Sequence, residues 1–171
     1  MVAVTSDFLV IGGGVLGLNL ALQARSRYPD ARITIIEKED VCGEHASGRN
    51  SGVLHAGFYY TADSLKARLT KEGNRLLTEY CMARGLGINL CGKLVVAKNA
   101  AESPAIDELL ARAQANEVEL FEVSEAEAKQ IEPRVRLCGR VLFSPTTASV
   151  DPKAVVDSFV SDVRDAGIQL L

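Results

Sequence analysis

Residues 8–18 constrain this chain more than any other stretch. Four apolar residues, Phe8, Leu9, Val10 and Ile11, read as a short buried strand, and Gly12, Gly14 and Gly17 follow in G-x-G-x-x-G spacing. Each glycine answers a steric need. Gly12 lets the strand turn sharply, Gly14 lets backbone approach a pyrophosphate, and Gly17 lets the following helix pack close to the sheet. That helix directs its free N–H groups and positive dipole end at the phosphates. After a Tyr28-Pro29-Asp30 turn, residues 32–37 read as a second, parallel strand. It ends on Glu37, twenty residues beyond the last glycine, where a carboxylate can bind a ribose hydroxyl.

Strand, glycine turn, helix, strand and terminal acid together define a dinucleotide-binding βαβ unit. The acid favours an unphosphorylated ribose, hence FAD or NAD rather than NADP. A tight strand–helix turn without a ligand is the plainer alternative.

The 171 residues are 47% hydrophobic with net charge −3, an ordinary globular composition. The 19 basic residues are scattered among 22 acids, so nucleic acid is not an expected partner. No apolar run is long enough for a transmembrane helix. Residues 1–7 lack a basic signal-peptide start, so a cytoplasmic location is expected, with loose association at the inner face of the membrane left open. Cys42, Cys81, Cys91 and Cys138 form no C-x-x-C pair and no His cluster, so no metal site is expected. Cys81 and Cys138 lie among apolar residues and read as reduced core residues.

Further along, a helix from Val15 to about Ser26 offers Leu16, Leu18, Leu20, Ala21 and Ala24 for packing. Residues 38–49 are polar and irregular. Ser64 caps a long helix to about Arg84, with Leu65, Leu69, Leu76 and Tyr80 on one face. Residues 92–97 read as a strand and 103–116 as a helix with Ile106, Leu109, Leu110 and Ala113 inward. Residues 118–123 form a strand, and Ser124-Glu-Ala-Glu127 is a capping box for a short helix that stops at Pro133. Residues 140–144 are a strand. Asp151-Pro152 opens a helix burying Val155, Val156, Phe159, Val160 and Val163, and residues 168–171 begin another strand. The fold class is α/β: a Rossmann-like βαβ start followed by part of a mixed α+β region. The expected divisions are 1–85 for nucleotide binding, 86–150 for substrate, and 151–171 returning toward the first part.

Residues 46–60 carry unusual chemistry for a loop. Ser47, Asn50 and Ser51 sit among glycines, so backbone N–H groups can face an anion closely. The glycine spacing, Glu37-Lys38 and the run from Ser47 to Gly57 resemble the D-amino-acid-oxidase-like superfamily of FAD oxidoreductases. More narrowly, residues 50–60 with Ser64-Leu-Lys-Ala-Arg68, Glu72-Gly-Asn74 and Cys91-Gly-Lys-Leu94 are similar to L-2-hydroxyglutarate oxidases and dehydrogenases.

The resemblance implies FAD as cofactor and oxidation of the C2 hydroxyl of a small hydroxy acid, with oxygen or a quinone as electron acceptor. It assigns Gly12, Gly14 and Gly17 to the pyrophosphate and Glu37 to the adenosine ribose. Lys38, Ser47, Asn50 and Ser51 would line the cofactor, and His55 would sit near the flavin ring as candidate acid or base. Lys66, Arg68, Arg75 and Lys93 are carboxylate partners by type only. Oxidation of glycerol 3-phosphate or of an amino acid on the same scaffold is the alternative within enzymes. Because members of this superfamily are roughly twice as long or more, an N-terminal fragment, incomplete as a sheet and inert alone, is also expected.

Overall fold

The computed structural model describes residues 5–171, apart from the side chains of Ala100 and Ser103; the N-terminal residues 1–4, read above as free of a signal sequence, lie outside the described residues. The first elements are β1 (Phe8–Ile11), α1 (Val15–Arg27), β2 (Ile33–Ile36), β3 (Val53–Leu54), α2 (Leu65–Arg84), β4 (Ile88–Asn89) and β5 (Lys93–Val96). They are followed by α3 (Ser103–Ala115), β6 (Phe121–Val123), α4 (Glu125–Ile131), β7 (Val141–Ser144), β8 (Ala148–Val150), α5 (Pro152–Asp165) and β9 (Gln169–Leu170).

The chain forms two units, one from residues up to Gly52 together with 151–171, the other from 53–150. In the first, β1 and β2 pair in parallel with Phe8 opposite Ile33 and Ile11 opposite Ile36, and α1 is the crossover. β9 adds in parallel on the far side of β2, giving the order β1-β2-β9. The central strand is the most apolar and the most covered: Ile33, Thr34 and Ile35 are all buried. α5 buries Val155, Val156, Phe159 and Val163, four residues on one helical face. Fully burying side chains of this kind stabilises by about 1.5–3 kcal/mol each. α1 buries Leu18 and Ala21, whereas Leu16 and Leu20, expected to pack, are 84% and 61% exposed. They occupy helical positions that turn away from β2 and α5.

The second unit holds two antiparallel sheets, β3-β8-β4 and β5-β7-β6. Ala56, Phe58 and Ala113 form a buried cluster against Tyr59, Val95, Leu109, Val118 and Leu120. Local signals set the helix ends as the sequence predicts. The Ser64 hydroxyl accepts from the Ala67 N–H at 3.1 Å, Gly85 closes α2 in the left-handed region, and Ser124 and Glu127 cap α4 reciprocally. Among the described residues, no helix is long and apolar enough to cross a membrane.

Further expectations are corrected: β1, read as a buried strand, is largely exposed at Phe8, Leu9 and Ile11, and Val160 of α5 is only half-buried. The compact units divide after Gly52 rather than near residue 85, and the functional division into 1–85, 86–150 and 151–171 remains an expectation. β3 pairs with β8, and the Asn74 amide of α2 donates to the Leu54 and Thr146 carbonyls at 3.0 Å, which ties α2 to the second unit. Cys138 is exposed, not core, because it lies in the turn preceding β7; Cys81 is fully buried.

The Asp151 carboxylate accepts from the N–H groups of Lys153 at 2.8 Å and Ala154 at 3.4 Å, closing the first turn of α5. Asp151→Ala is expected to cost about 1 kcal/mol and lower the melting temperature by about 2–4 °C. An unchanged Tm would show that water satisfies that turn equally well.

Candidate functional site

The site is built around the turn between β1 and α1. Gly12 adopts φ +106°, a conformation costly for any residue with a Cβ, and its N–H donates to the Ile36 carbonyl at 2.8 Å. The backbone of Gly17 lies against the Gly12 carbonyl oxygen so closely that a Cβ there would overlap it. Gly14 is the N-cap of α1, in extended conformation and without a side chain to cap the helix. Within the helix, the first-turn N–H groups have no carbonyl partner.

Two other segments converge on this turn. Glu37, at the end of β2, accepts from the Gly13 N–H at 2.6 Å through one oxygen. Its other oxygen accepts from the N–H groups of Lys38 at 2.9 Å and Glu39 at 3.1 Å. These donors, Gly13 foremost, hold the carboxyl below the usual carboxylate range. The Ser47 hydroxyl accepts from the Val15 N–H at 3.0 Å and would lie 3.1 Å from a Cβ on Gly14. Glu37 also lines a cavity of about 410 Å³ with Glu39, Cys42, Asp157 and Arg164. Burial, then the Glu37 charge, pushes the Cys42 thiol up.

The remaining residues divide by role. The Asn50 amide donates to the Ala46 and Ser47 carbonyls at 2.9 and 3.0 Å, and its oxygen accepts from the Gly52 N–H at 2.9 Å. Asn50 therefore shapes the loop that presents Ser47. Lys38 and Ser51 are exposed, with Lys38 paired to Glu39 at 3.0 Å. Sequence reasoning missed Cys42 and Gly43. The Gly43 N–H donates to the Gly13 carbonyl at 3.1 Å, and a Cβ on Gly43 would come 2.7 Å from Val156. Gly43 lies in the stretch read only as polar and irregular; its positive φ of 71° and its tight neighbour are invisible in one dimension.

His55 belongs to the second unit, one residue past β3, and is exposed. The covered part of its ring, and then the charge of Lys93, lower its pKa and favour the neutral imidazole.

Residues 7–171 match the FAD dependent oxidoreductase (DAO) family, and the chain belongs to that family. It is 39% identical over 166 residues to the mitochondrial L-2-hydroxyglutarate dehydrogenase of Pongo abelii, and 36% identical over 165 residues to the L-2-hydroxyglutarate dehydrogenase of Escherichia coli K12. Each alignment takes in 96% of this chain and 39% of the relative, so the chain spans well under half the length of the curated relatives it matches. Among solved structures it superposes with a TM-score of 0.88 on the FAD-bound L-alpha-glycerophosphate oxidase of Mycoplasma pneumoniae, at 26% identity over 99% of this chain and 45% of that one. The L-proline dehydrogenase of P. horikoshii shares the fold, with a TM-score of 0.85 at 23% identity over 99% of this chain and 44% of that one.

Two substitutions test the turn. Gly17→Ala is expected to destabilise by at least about 1–3 kcal/mol, since neither the added carbon nor the Gly12 carbonyl can move freely. Gly73→Ala, on α2 with open space around it, should stabilise by about 0.4–1 kcal/mol; equal effects in chemical denaturation would contradict the crowding. For Glu37 the folded pKa is lowered, so its stabilisation is present above the ordinary carboxylate range and lost as pH falls through the lowered value. The Tm gap between wild type and Glu37→Gln should be widest near neutral pH and close in acid. A pH-independent gap would contradict that assignment.

Proposed function

We propose that this chain supplies the dinucleotide cradle and part of the substrate region of an FAD-dependent oxidoreductase. The reaction would take L-2-hydroxyglutarate to 2-oxoglutarate. The observation that carries this reading is the convergence of Glu37 and Ser47 on the Gly13–Val15 turn, in a chain of the FAD dependent oxidoreductase family with L-2-hydroxyglutarate dehydrogenases as 36–39% identical relatives. The donor set suits a dinucleotide: glycine backbone without Cβ atoms, first-turn N–H groups, and an ionised carboxylate at the strand end. Gly12, Gly14 and Gly17 would admit the pyrophosphate. Glu37 would take the ribose hydroxyls, with the cavity beside Cys42 and Arg164 for the adenosine. Ser47 would complete the cradle, Asn50 would hold its loop, and Lys38 and Ser51 would line the cofactor's outer side.

FAD, when bound, would supply the hydride acceptor at flavin N5, with oxygen or a quinone as the final electron acceptor. His55 is assigned the proton of the substrate hydroxyl. As C2 gives up its hydride, the O–H electrons become the second bond of the carbonyl, and His55 leaves protonated. A neutral imidazole at working pH is the form this step needs, and partial burial and Lys93 favour it. A cytoplasmic setting is supported by four unpaired cysteines. Glycerol 3-phosphate is the second reading, favoured by the 26% identity to the glycerophosphate oxidase.

Extraction of the bound cofactor from protein extended to the relatives' length should yield FAD and no nicotinamide; NAD in its place would end this reading. His55→Ala should slow substrate reduction of the flavin by about 10²-fold with little change in Tm. A wild-type rate, or a variant that unfolds, would return His55 to a structural role.

A further inference from the structure

α2 is apolar on two opposite faces. Ala67, Asn74 and Cys81, each seven residues from the next, hold one face to the second unit. Ala67 and Cys81 are buried, and the Asn74 amide donates to the Leu54 and Thr146 carbonyls at 3.0 Å. Leu65, Leu69, Gly73, Leu76, Tyr80 and Ala83 run along the other side, at spacings of four, four, three, four and three. The sequence period reads this row as inward, yet Leu65, Leu69 and Leu76 are 65%, 63% and 51% exposed. Single exposed leucines are ordinary on a protein surface. A row of them along about five turns of one helix is a packing face without a partner.

The charges beside the row select what fits it. Arg68, Glu72, Arg75 and Glu79 border it on one side and alternate in sign. Arg68 and Glu79, like Glu72 and Arg75, are equidistant from the point between Gly73 and Asn74. Turned end for end, this border is therefore its own complement, with each arginine level with a glutamate. Gly73 stands at the same midpoint, and the space where its Cβ would be is open, so a second helix can cross there at close range. Within one copy Arg75 bridges Glu72 and Glu79, whereas Arg68 has no ion pair among the described residues.

We propose that this face of α2 is the contact surface for a second copy of the chain, the two helices packing antiparallel about a two-fold axis beside Gly73. The contact is isologous. Arg68 of each copy meets Glu79 of the other, Glu72 meets Arg75, and the two leucine rows close over the axis. Parallel pairing would bring Arg68 level with Lys66 of the other copy and lose the match. The interface does not depend on the reaction proposed above.

Site-directed cross-linking tests the pairing. The exposed cysteines, Cys91 and Cys138, are first replaced by serine. Gly73→Cys, Arg68→Cys and Glu79→Cys are then made singly, in this chain and in protein extended to the relatives' length, and treated with a short bifunctional maleimide. In both proteins Gly73→Cys should link to itself. Arg68→Cys and Glu79→Cys should link when mixed and not alone, because the two copies of residue 68 stand about 16 Å apart along antiparallel helices. In sedimentation equilibrium both should form a reversible dimer. Leu69→Glu or Leu76→Glu should raise its dissociation constant at least about tenfold. Ile131→Glu, at an exposed apolar position of α4, should leave it unchanged; circular dichroism checks that each variant is folded. A monomer at every concentration, equal weakening by Ile131→Glu, Arg68→Cys linking to itself, or loss of the cross-linking pattern in either protein overturns the interface. A Gly73→Cys thiol shielded from the reagent in a monomeric extended protein also overturns it, and gives the face to that protein's own further polypeptide.

Discussion

The first unit depends on how closely Gly17 approaches the Gly12 carbonyl. Because neither residue carries a Cβ, α1 can begin almost on top of the end of β1, and the crossover to β2 stays short. That places the first turn of α1 beside the C-terminal ends of the parallel strands, where a helix dipole and unpaired N–H groups attract an anion. The turn is braced from two directions, by Glu37 through the Gly13 N–H and by Ser47 through the Val15 N–H. The same Glu37 carboxylate also gathers the Lys38 and Glu39 N–H groups, and with Gly13 they lower its pKa from the ordinary carboxylate value. Positive backbone and negative carboxylate therefore stand side by side, one suited to phosphate and the other to ribose hydroxyls.

The second unit is organised by charge compensation. Ion pairs at solvent-exposed positions contribute little to stability individually. Arg75 stands between Glu72 and Glu79 and pairs with both. Lys93 and Lys66 rest on tyrosine rings. The loop carrying those rings is anchored by Arg112 and Asn116 of α3, so the helix fixes the geometry that the loop presents.

Much of this was legible in the sequence, for local reasons. G-x-G-x-x-G spacing, an acid at a strand end, Ser64 and Asp151 as N-caps and Ser124 with Glu127 as a capping box each depend on residues a few positions apart. Burial on α5 followed from the period of Val155, Val156, Phe159 and Val163. Long-range pairing was not legible. β3, β4 and β8 are two or three residues long, too short for a periodic signal, and their pairing helps to draw residues 53–150 into one compact unit. Leu16 and Leu20 satisfied a helical pattern yet face solvent, and Cys138 had apolar neighbours in sequence but not in space. Of the four basic residues that matched a carboxylate equally well by type, Arg75 is taken up by Glu72 and Glu79, a pairing that the fold shows.

The chain's membership of the FAD dependent oxidoreductase family and the geometry around Glu37, Ser47 and the glycine turn underlie the proposed reaction, and substrate choice tests that proposal most directly. Flavin-loaded protein extended to the length of the relatives is mixed without oxygen with L-2-hydroxyglutarate, with its D-enantiomer and with glycerol 3-phosphate, and the flavin absorbance is followed. Rapid bleaching by L-2-hydroxyglutarate alone, with one 2-oxoglutarate formed per flavin reduced, is the predicted result. Bleaching by glycerol 3-phosphate while L-2-hydroxyglutarate leaves the flavin oxidised would contradict it.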